Sequence, residues 1–371
     1  MKWIITALLG SAATLAAHTR AQTPAAAVSF VIDPRVELVA TAQYLSGYAD
    51  HAPFKGRINP FDHPYLNDLR RHFAGSKTHP ALARLAALRV GGSDPIGIAV
   101  HLSGDGTLTL RPPLEGIRVS PEMAEAYATN LREFAAAVDF EGFLAARRSQ
   151  HDQIIAEFRN ATDVAAVADA LARYCGPQTC RFRIVLAPLL GRTSFGPKAV
   201  DADGTPVFYA ILPAQGVVDG RLVFGERDAL AGLLAHEFGH SFVNPLVEKH
   251  WAAFSSYSGL LAQVQYSRSS NYGRDWKIFV CESIVRAVAA RIILAQQGGD
   301  ACAAQLARDR QTGFAFGAEM CRALERYERN RDTYPTLESY LPELAVVFAS
   351  LQQAANGPAG EKTRLAPPTP R

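Results

Sequence analysis

The chain has 371 residues and a formal net charge of +3, with 48% hydrophobic and 20% charged residues. This composition is ordinary for a globular protein that buries a sizeable core. The small net charge, without a basic run interleaved with aromatic residues, argues against nucleic acid and an anionic membrane surface as partners.

The N-terminus has the features of an export signal. Lys2 precedes an apolar run over residues 4–17, and Thr19-Arg20-Ala21 offers small residues at the positions that a signal peptidase reads. We therefore predict a signal peptide at residues 1–21 and a periplasmic or extracellular mature chain. The apolar run is too short for a membrane anchor, and no later run approaches 18 residues, so no stable membrane insertion is expected.

Export makes disulfide bonds possible for the five cysteines. Cys175 and Cys180 predict one bridge across a short loop, and Cys302 and Cys321 form a second plausible pair, which leaves Cys281 buried and unpaired. The spacing leaves other pairings open. Because no Cys-x-x-Cys sequence is present, a metal site made of cysteines alone is not expected.

Residues 22–170 predict an N-terminal, mainly helical region, because helical spacing and helix-start signals recur along it. A hairpin is expected where residues 96–102 and 107–110 flank a glycine-containing turn. The other predicted segments are a strand or turn leading into a helix at residues 31–39, proline-broken helices over residues 41–90, a helix over residues 121–148 capped by Ser120, and helical residues 154–174.

The chain then changes to strands. Residues 181–190 and 206–212 are rich in branched and aromatic side chains and predict two strands, joined by a glycine-containing linker at residues 191–204. A long apolar helix is expected over residues 275–297, and helices continue to about residue 353. Residues 354–371 contain Gly357-Pro358 and Pro367-Pro368 and predict a disordered tail.

The most informative stretch is His236-Glu237-Phe238-Gly239-His240, which has the pattern His-Glu-x-x-His. On a helix, two histidines four apart lie on one face, so both can bind one metal ion while Glu237 reaches a water on that ion. Glu226 and Asp228 provide negative charge near the expected helix start, and Asn244-Pro245 predicts its end. The alternative is a pair of histidines on an ordinary helix.

A catalytic zinc ion usually has three protein ligands, so a third ligand is expected. A metzincin would have glycine and histidine at positions that hold Val243 and Leu246 here. His250 and Glu248 follow the expected end of the motif helix and are alternatives, as is Asp275.

Glu282 is the preferred third ligand. In the helix predicted over residues 275–297, it belongs to an apolar face that also includes Ile278, Val285, Ala289 and Ile292. A buried carboxylate is costly without a partner, and a zinc ion would supply one. The alternative is a buried salt bridge to Arg286 or Arg291.

The set of His236, Glu237, His240 and Glu282 resembles the gluzincin branch of the zinc peptidases. More closely, the stretches HEFGHSFVNP (236–245), YGRDWKIFVCESIVRA (272–287) and HPALARL (79–85) are similar to a family of exported bacterial proteins of unknown function with an HEFxHSFxNP motif. That family usually has serine where this chain has Gly239. The resemblance covers most of the mature chain but names no substrate.

The expected fold is α+β, helix-dominated and zincin-like, with a small sheet beside the motif helix. Residues 171–353 would form the catalytic region, with one Zn²⁺ between the motif helix and the Glu282 helix. Ser241 is a candidate contact of a ligand histidine, and Asn244 is a candidate residue for orienting the end of the motif helix.

The sequence therefore predicts an exported zinc metallopeptidase that hydrolyses peptide or protein substrates. Glu237 would be the general base, and Tyr272 is the preferred donor to the tetrahedral oxyanion, with His250, Tyr257 and Tyr266 as alternatives. An edge strand of the small sheet can bind an extended peptide. The alternative functions are hydrolysis of cell-wall peptide amides and a non-catalytic binding protein with a zincin fold.

Overall fold

The computed structural model describes residues 27–47, 62–159, 163–191, 193–264 and 271–356. Helices dominate these residues and a small mixed sheet lies among them, so the predicted α+β, helix-dominated class is confirmed. The predicted signal peptide and most of the predicted tail lie outside the described residues.

The helices and strands have the following bounds. The helices are α1 (Pro34–Leu45), α2 (Pro64–His72), α3 (Pro80–Ala87), α4 (Asp94–His101), α5 (Pro121–Ala137), α6 (Phe140–Ala145), α7 (Arg148–Arg159), α8 (Val164–Cys175), α9 (Arg227–Lys249), α10 (Trp276–Gln297), α11 (Gly299–Gln311), α12 (Gly317–Arg329) and α13 (Leu337–Asn356). The strands are β1 (Val28–Val31), β2 (Arg181–Ala187), β3 (Lys198–Val200), β4 (Pro206–Pro213), β5 (Gly216–Val218) and β6 (Arg221–Val223). Short 3-10 helices at Trp251–Ala253, Ser255–Gln263 and Asn271–Gly273 lie between α9 and α10.

The central sheet has the strand order β1-β2-β4-β3. Its first three strands are parallel, and β3 runs antiparallel to β4 at the edge. The strands predicted at residues 181–190 and 206–212 correspond to β2 and β4. Strand β1 comes from the N-terminal region, so this sheet contains residues from both predicted regions of the chain.

Both faces of the sheet are covered by helices. Phe182 and Phe208 belong to a core that includes residues of α8, α9, α10, α12 and α13, whereas Val185 and Tyr209 belong to a second core built with the N-terminal helices. Successive strand residues point to opposite faces, so an apolar run such as β4 fills both cores.

Aromatic contacts fix the motif helix on one of these faces. The ring of Phe238 lies 4.9 Å from the ring of Phe182, and the ring of Phe242 lies 4.9 Å from the ring of Phe208. Both rings of α9 are fully buried. These residues flank His240 in sequence but point to the sheet, because they occupy the opposite side of the helix.

The predicted hairpin at residues 96–110 is wrong. Residues 94–101 form α4, and only a single antiparallel bridge joins Leu102 to Leu110 in that part of the chain. All eight residues of α4 are buried. A helix that is buried on all sides has no polar face, so the alternation of Ile96, Ile98 and Val100 was a misleading strand signal.

Two predicted helix boundaries are also wrong. Helix α9 continues through Pro245 to Lys249 instead of ending at Asn244. Val243 and Val247 on either side of the proline are fully buried, and their packing offsets the lost backbone hydrogen bond. The helix predicted over residues 121–148 ends at Ala137, and a new helix starts after Asp139, which has a φ of 49°.

All five cysteines are free thiols in the structure. Neither the Cys175–Cys180 bridge nor the Cys302–Cys321 bridge is formed. Cys281 is buried in α10, as expected. Among the described residues, no helix is long and apolar enough to cross a membrane.

Glu37 gives the fold a pH dependence. It lies in α1, is 1% exposed, and burial raises its pKa to about 8, with only partial compensation from Tyr65 and Leu189. The unfolded chain ionises near the ordinary value of 4.5, so between pH 4.5 and 8 the unfolded state alone loses this proton. The contribution of Glu37 to stability is therefore complete below pH 4.5 and falls as the pH rises to 8.

We predict that Glu37→Gln, which cannot ionise, gains stability relative to wild type as the pH rises. The difference in free energy of unfolding should grow by about 1 kcal/mol or more between pH 5 and pH 8. Urea unfolding at both pH values measures it, with the exposed Glu141→Gln as control. A difference that stays constant with pH would contradict this account of Glu37.

Candidate metal centre

Helices α9 and α10 pack against each other and bring three predicted ligands together. His236 and His240 lie one turn apart on α9, and Glu282 faces them from α10. The Nε2 atoms of the histidines are 3.2 Å apart. The Glu282 carboxylate lies 3.3 Å from His240 Nε2 through Oε1 and 3.7 Å from His236 Nε2 through Oε2.

This geometry fits a metal ion. One ligand atom from each of the three residues lies within 4.8 Å of the others. Two nitrogens that share a tetrahedral ion at about 2.1 Å are about 3.4 Å apart, close to the observed Nε2 separation. Glu282 Oε2 is buried and, apart from an ion pair with Arg286, accepts no hydrogen bond from the described residues, so it can still act as a ligand atom. The group can therefore hold a metal ion.

Charge around Glu282 also favours a bound cation. Glu282 is 6% exposed and forms an ion pair with Arg286 at 3.3 Å, which is one of the predicted salt-bridge alternatives. The same arginine pairs with Asp309 at 2.6 Å. One arginine is thus shared by two buried acids, Glu282 and Asp309. A salt bridge alone therefore leaves this cluster with an excess of acidic groups.

Burial shifts the pKa values of His236 and Glu237. Burial, with His240 and Arg286 nearby, holds the pKa of His236 well below its ordinary value, so this imidazole is neutral and able to bind a metal. Glu237 is 5% exposed, and burial together with the charge of Glu282 raises its pKa to about 8. A carboxylate with a raised pKa is a stronger base.

The alternative ligands have other partners. Glu248 pairs with Lys277, His250 lies 3.2 Å from Glu338, and Asp275 caps the start of α10. Among the described residues these side chains do not join His236 and His240. Arg291 pairs with Glu328 instead of Glu282.

The predicted oxyanion donor lies at the entrance to α10. Tyr272 belongs to the 3-10 helix Asn271–Gly273, and its ring centroid lies 5.7 Å from that of Phe314. Phe314 also contacts the guanidinium of Arg286, which pairs with Glu282, so Tyr272 is connected to Glu282 through Phe314 and Arg286. Tyr257 lies in the 3-10 helix Ser255–Gln263, and Tyr266 is outside the described residues. The role of Tyr272 stays a prediction.

Asn244 and Ser241 have different roles from each other. Asn244 Oδ1 lies 3.4 Å from His240 Nδ1, in position to accept a hydrogen bond from Nδ1–H and leave Nε2 available for a metal. The Ser241 hydroxyl donates a hydrogen bond to the backbone carbonyl of Pro197 at 3.5 Å, not to a histidine among the described residues. The predicted contact between Ser241 and a histidine is therefore replaced by one to the edge of the sheet.

Gly196 brings the edge of the sheet onto the motif helix, a contact that the sequence analysis missed. A Cβ at Gly196 would overlap the carbonyl oxygen of Glu237. Phe195, the residue before Gly196, forms an antiparallel bridge with Ile211 of β4, and β3 continues this pairing in the same register. A glycine in a linker before an edge strand could have indicated this contact in the sequence, because a close approach of two backbones often requires glycine.

We predict that Gly196→Ala lowers the free energy of unfolding by about 1–3 kcal/mol, because the edge segment must move away from α9. Gly216→Ala is the matched control, since a Cβ there meets no atom within 4 Å. Urea unfolding of both variants measures the difference. Equal stability of the two variants would show that the edge segment is not held against α9 at Glu237.

Comparison with known proteins places the chain in a family without establishing its function. No curated protein and no solved structure matches the chain. One protein family matches residues 28–347, which include every described element from β1 to most of α13. The chain therefore belongs to the family described as a domain of unknown function, DUF4932.

Proposed function

We propose that this protein is an exported zinc metallopeptidase that cleaves peptide bonds in peptide or protein substrates. One observation carries the proposal: His236, His240 and Glu282 lie together, with the two histidine Nε2 atoms 3.2 Å apart. The buried Glu237 belongs to the same turn of α9. Two imidazoles and one carboxylate form a donor set typical of catalytic zinc sites. A zinc ion bound there would polarise a carbonyl group and make a water molecule more acidic.

Glu237 supplies the acid–base chemistry in this proposal. It lies between the ligand histidines in sequence and is buried in the same part of α9, and burial raises its pKa, which makes its carboxylate a stronger base. It would take the proton of the attacking water and transfer it to the leaving amine. A protein that only bound zinc would have no use for this buried acid.

The edge of the sheet supports an extended peptide as the substrate. Phe195 exchanges both backbone hydrogen bonds with Ile211, at 3.1 and 2.8 Å, and Pro197 accepts one from Tyr209 at 3.0 Å. In an antiparallel pair the backbone groups of alternate residues point to opposite sides, so those of Gly196 and Lys198 are directed away from β4. A peptide paired along this edge would pass the turn of α9 that carries Glu237.

Metal binding by the mature chain, residues 22–371, tests the proposal directly. Wild type should bind zinc stoichiometrically, and Glu282→Ala should retain much less because it removes a ligand. Elemental analysis after removal of free metal measures both. Glu248→Ala is the control, because Glu248 is an exposed acid paired with Lys277, and it should keep full zinc. No zinc in wild type would refute the proposal.

Substitution of the proposed general base tests the catalytic mechanism. Glu237→Gln should retain zinc but lower the cleavage rate by a factor of about 10² to 10⁴, because the general base is lost while the ligands remain. Cleavage of a mixed peptide library, analysed by mass spectrometry, measures the rate. Equal rates for wild type and Glu237→Gln would refute this mechanism. A zinc-loaded wild type that cleaves neither the library nor cell-wall peptides would favour the binding protein.

A further inference from the structure

The Glu282 carboxylate is contacted from two sides. On the metal side, Oε1 lies 3.3 Å from His240 Nε2, and Oε2 lies 3.7 Å from His236 Nε2. On the other side, Oε2 lies 3.3 Å from Nη2 of Arg286, one turn further along α10. The contact with Arg286 limits rotation of the carboxylate, because a change in side-chain torsion would separate the two charges.

Arg286 is itself fixed by groups outside α10. Its Nη1 donates to Asp309 Oδ1 at 2.6 Å, and its guanidinium carbon lies 4.1 Å from the centroid of the Phe314 ring. Asp309 is 2% exposed and also accepts a hydrogen bond from Gln305 at 3.1 Å. The arginine is therefore held by α11 and by the turn that follows it.

Asp309 also balances the charge of Arg286. An arginine without a counter-charge would repel a divalent cation at the ligand cluster. Paired with Asp309, Arg286 retains its directional contact with Glu282 and adds little net positive charge. The arrangement suits an arginine that orients a metal ligand and does not compete with the metal for it.

We infer that Arg286 and Asp309 are positioning residues that hold the Glu282 carboxylate in its metal-binding orientation. This inference rests on the proposed function in one respect, namely that the site binds zinc. Groups that orient a metal ligand in this way typically change metal affinity by about 10- to 100-fold when they are removed.

The test compares Arg286→Ala, Arg286→Lys and Asp309→Asn with Arg291→Ala. Arg291 is the matched control, because it lies on the same helix and pairs with Glu328 away from the ligands. Zinc affinity is measured by competition with a chromophoric chelator, and the stability of the metal-free proteins by urea unfolding. Arg286→Ala and Asp309→Asn should bind zinc about 10- to 100-fold more weakly, and Arg286→Lys should recover part of the loss.

Arg291→Ala should lose stability and keep the zinc affinity of wild type. The visible spectrum of the cobalt-loaded proteins gives a second readout, because it responds to the ligand geometry. Arg286→Lys and Asp309→Asn should alter this spectrum, and Arg291→Ala should not. If Arg286→Ala fails to fold, the lysine and asparagine variants still decide the result.

Two outcomes would overturn the inference. Wild-type zinc affinity in Arg286→Lys and Asp309→Asn would show that the pair serves stability only. Tighter zinc binding by Arg286→Ala would show that the arginine acts mainly as a competing cation. Both outcomes leave the proposed function intact, whereas a wild-type protein that binds no zinc removes the proposed function and this inference together.

Discussion

A carboxylate buried between two packed helices is the interaction on which the candidate site depends. Glu282 lies in α10, where most neighbouring side chains are apolar and buried, so its charge must be balanced locally. The histidines of α9, the guanidinium of Arg286 and, beyond it, Asp309 all converge on this group. Without the acid, the two imidazoles would face a hydrophobic helix, and Arg286 would lose its ion pair on α10.

The sheet fixes the position of α9, and α10 packs against α9. Phe182 and Phe208 hold α9 by its apolar side, and Gly196 allows the edge backbone to reach the turn that carries Glu237. The motif helix is therefore held on one side by the sheet and on another by α10. Rigid elements of this kind place side chains more accurately than loops do. The same arrangement brings the backbone of Glu237 against the segment that leads into the edge strand β3.

The sequence predicted those parts of the site that depend on local periodicity. The four-residue spacing of the histidines and the burial of Glu282 within its helix are properties of single helices, and the structure confirms both. Asp309 and Gly196 were missed, because their contacts with Arg286 and Glu237 join segments whose separation has no pattern in the sequence. The error over α4 has another cause: a helix buried on all sides has no polar face to mark its period.

The ligands lie on both sides of a long connection. His240 and Glu282 are separated by about forty residues, a span that contains the 3-10 helices at Trp251–Ala253, Ser255–Gln263 and Asn271–Gly273 but no strand among its described residues. A metal ion coordinated by both residues would act as a cross-link that closes this loop. In the chain-entropy description, a cross-link over such a span stabilises a fold by about 4 kcal/mol, mainly by restricting the unfolded chain. The ion would thus also act as a structural cross-link between α9 and α10.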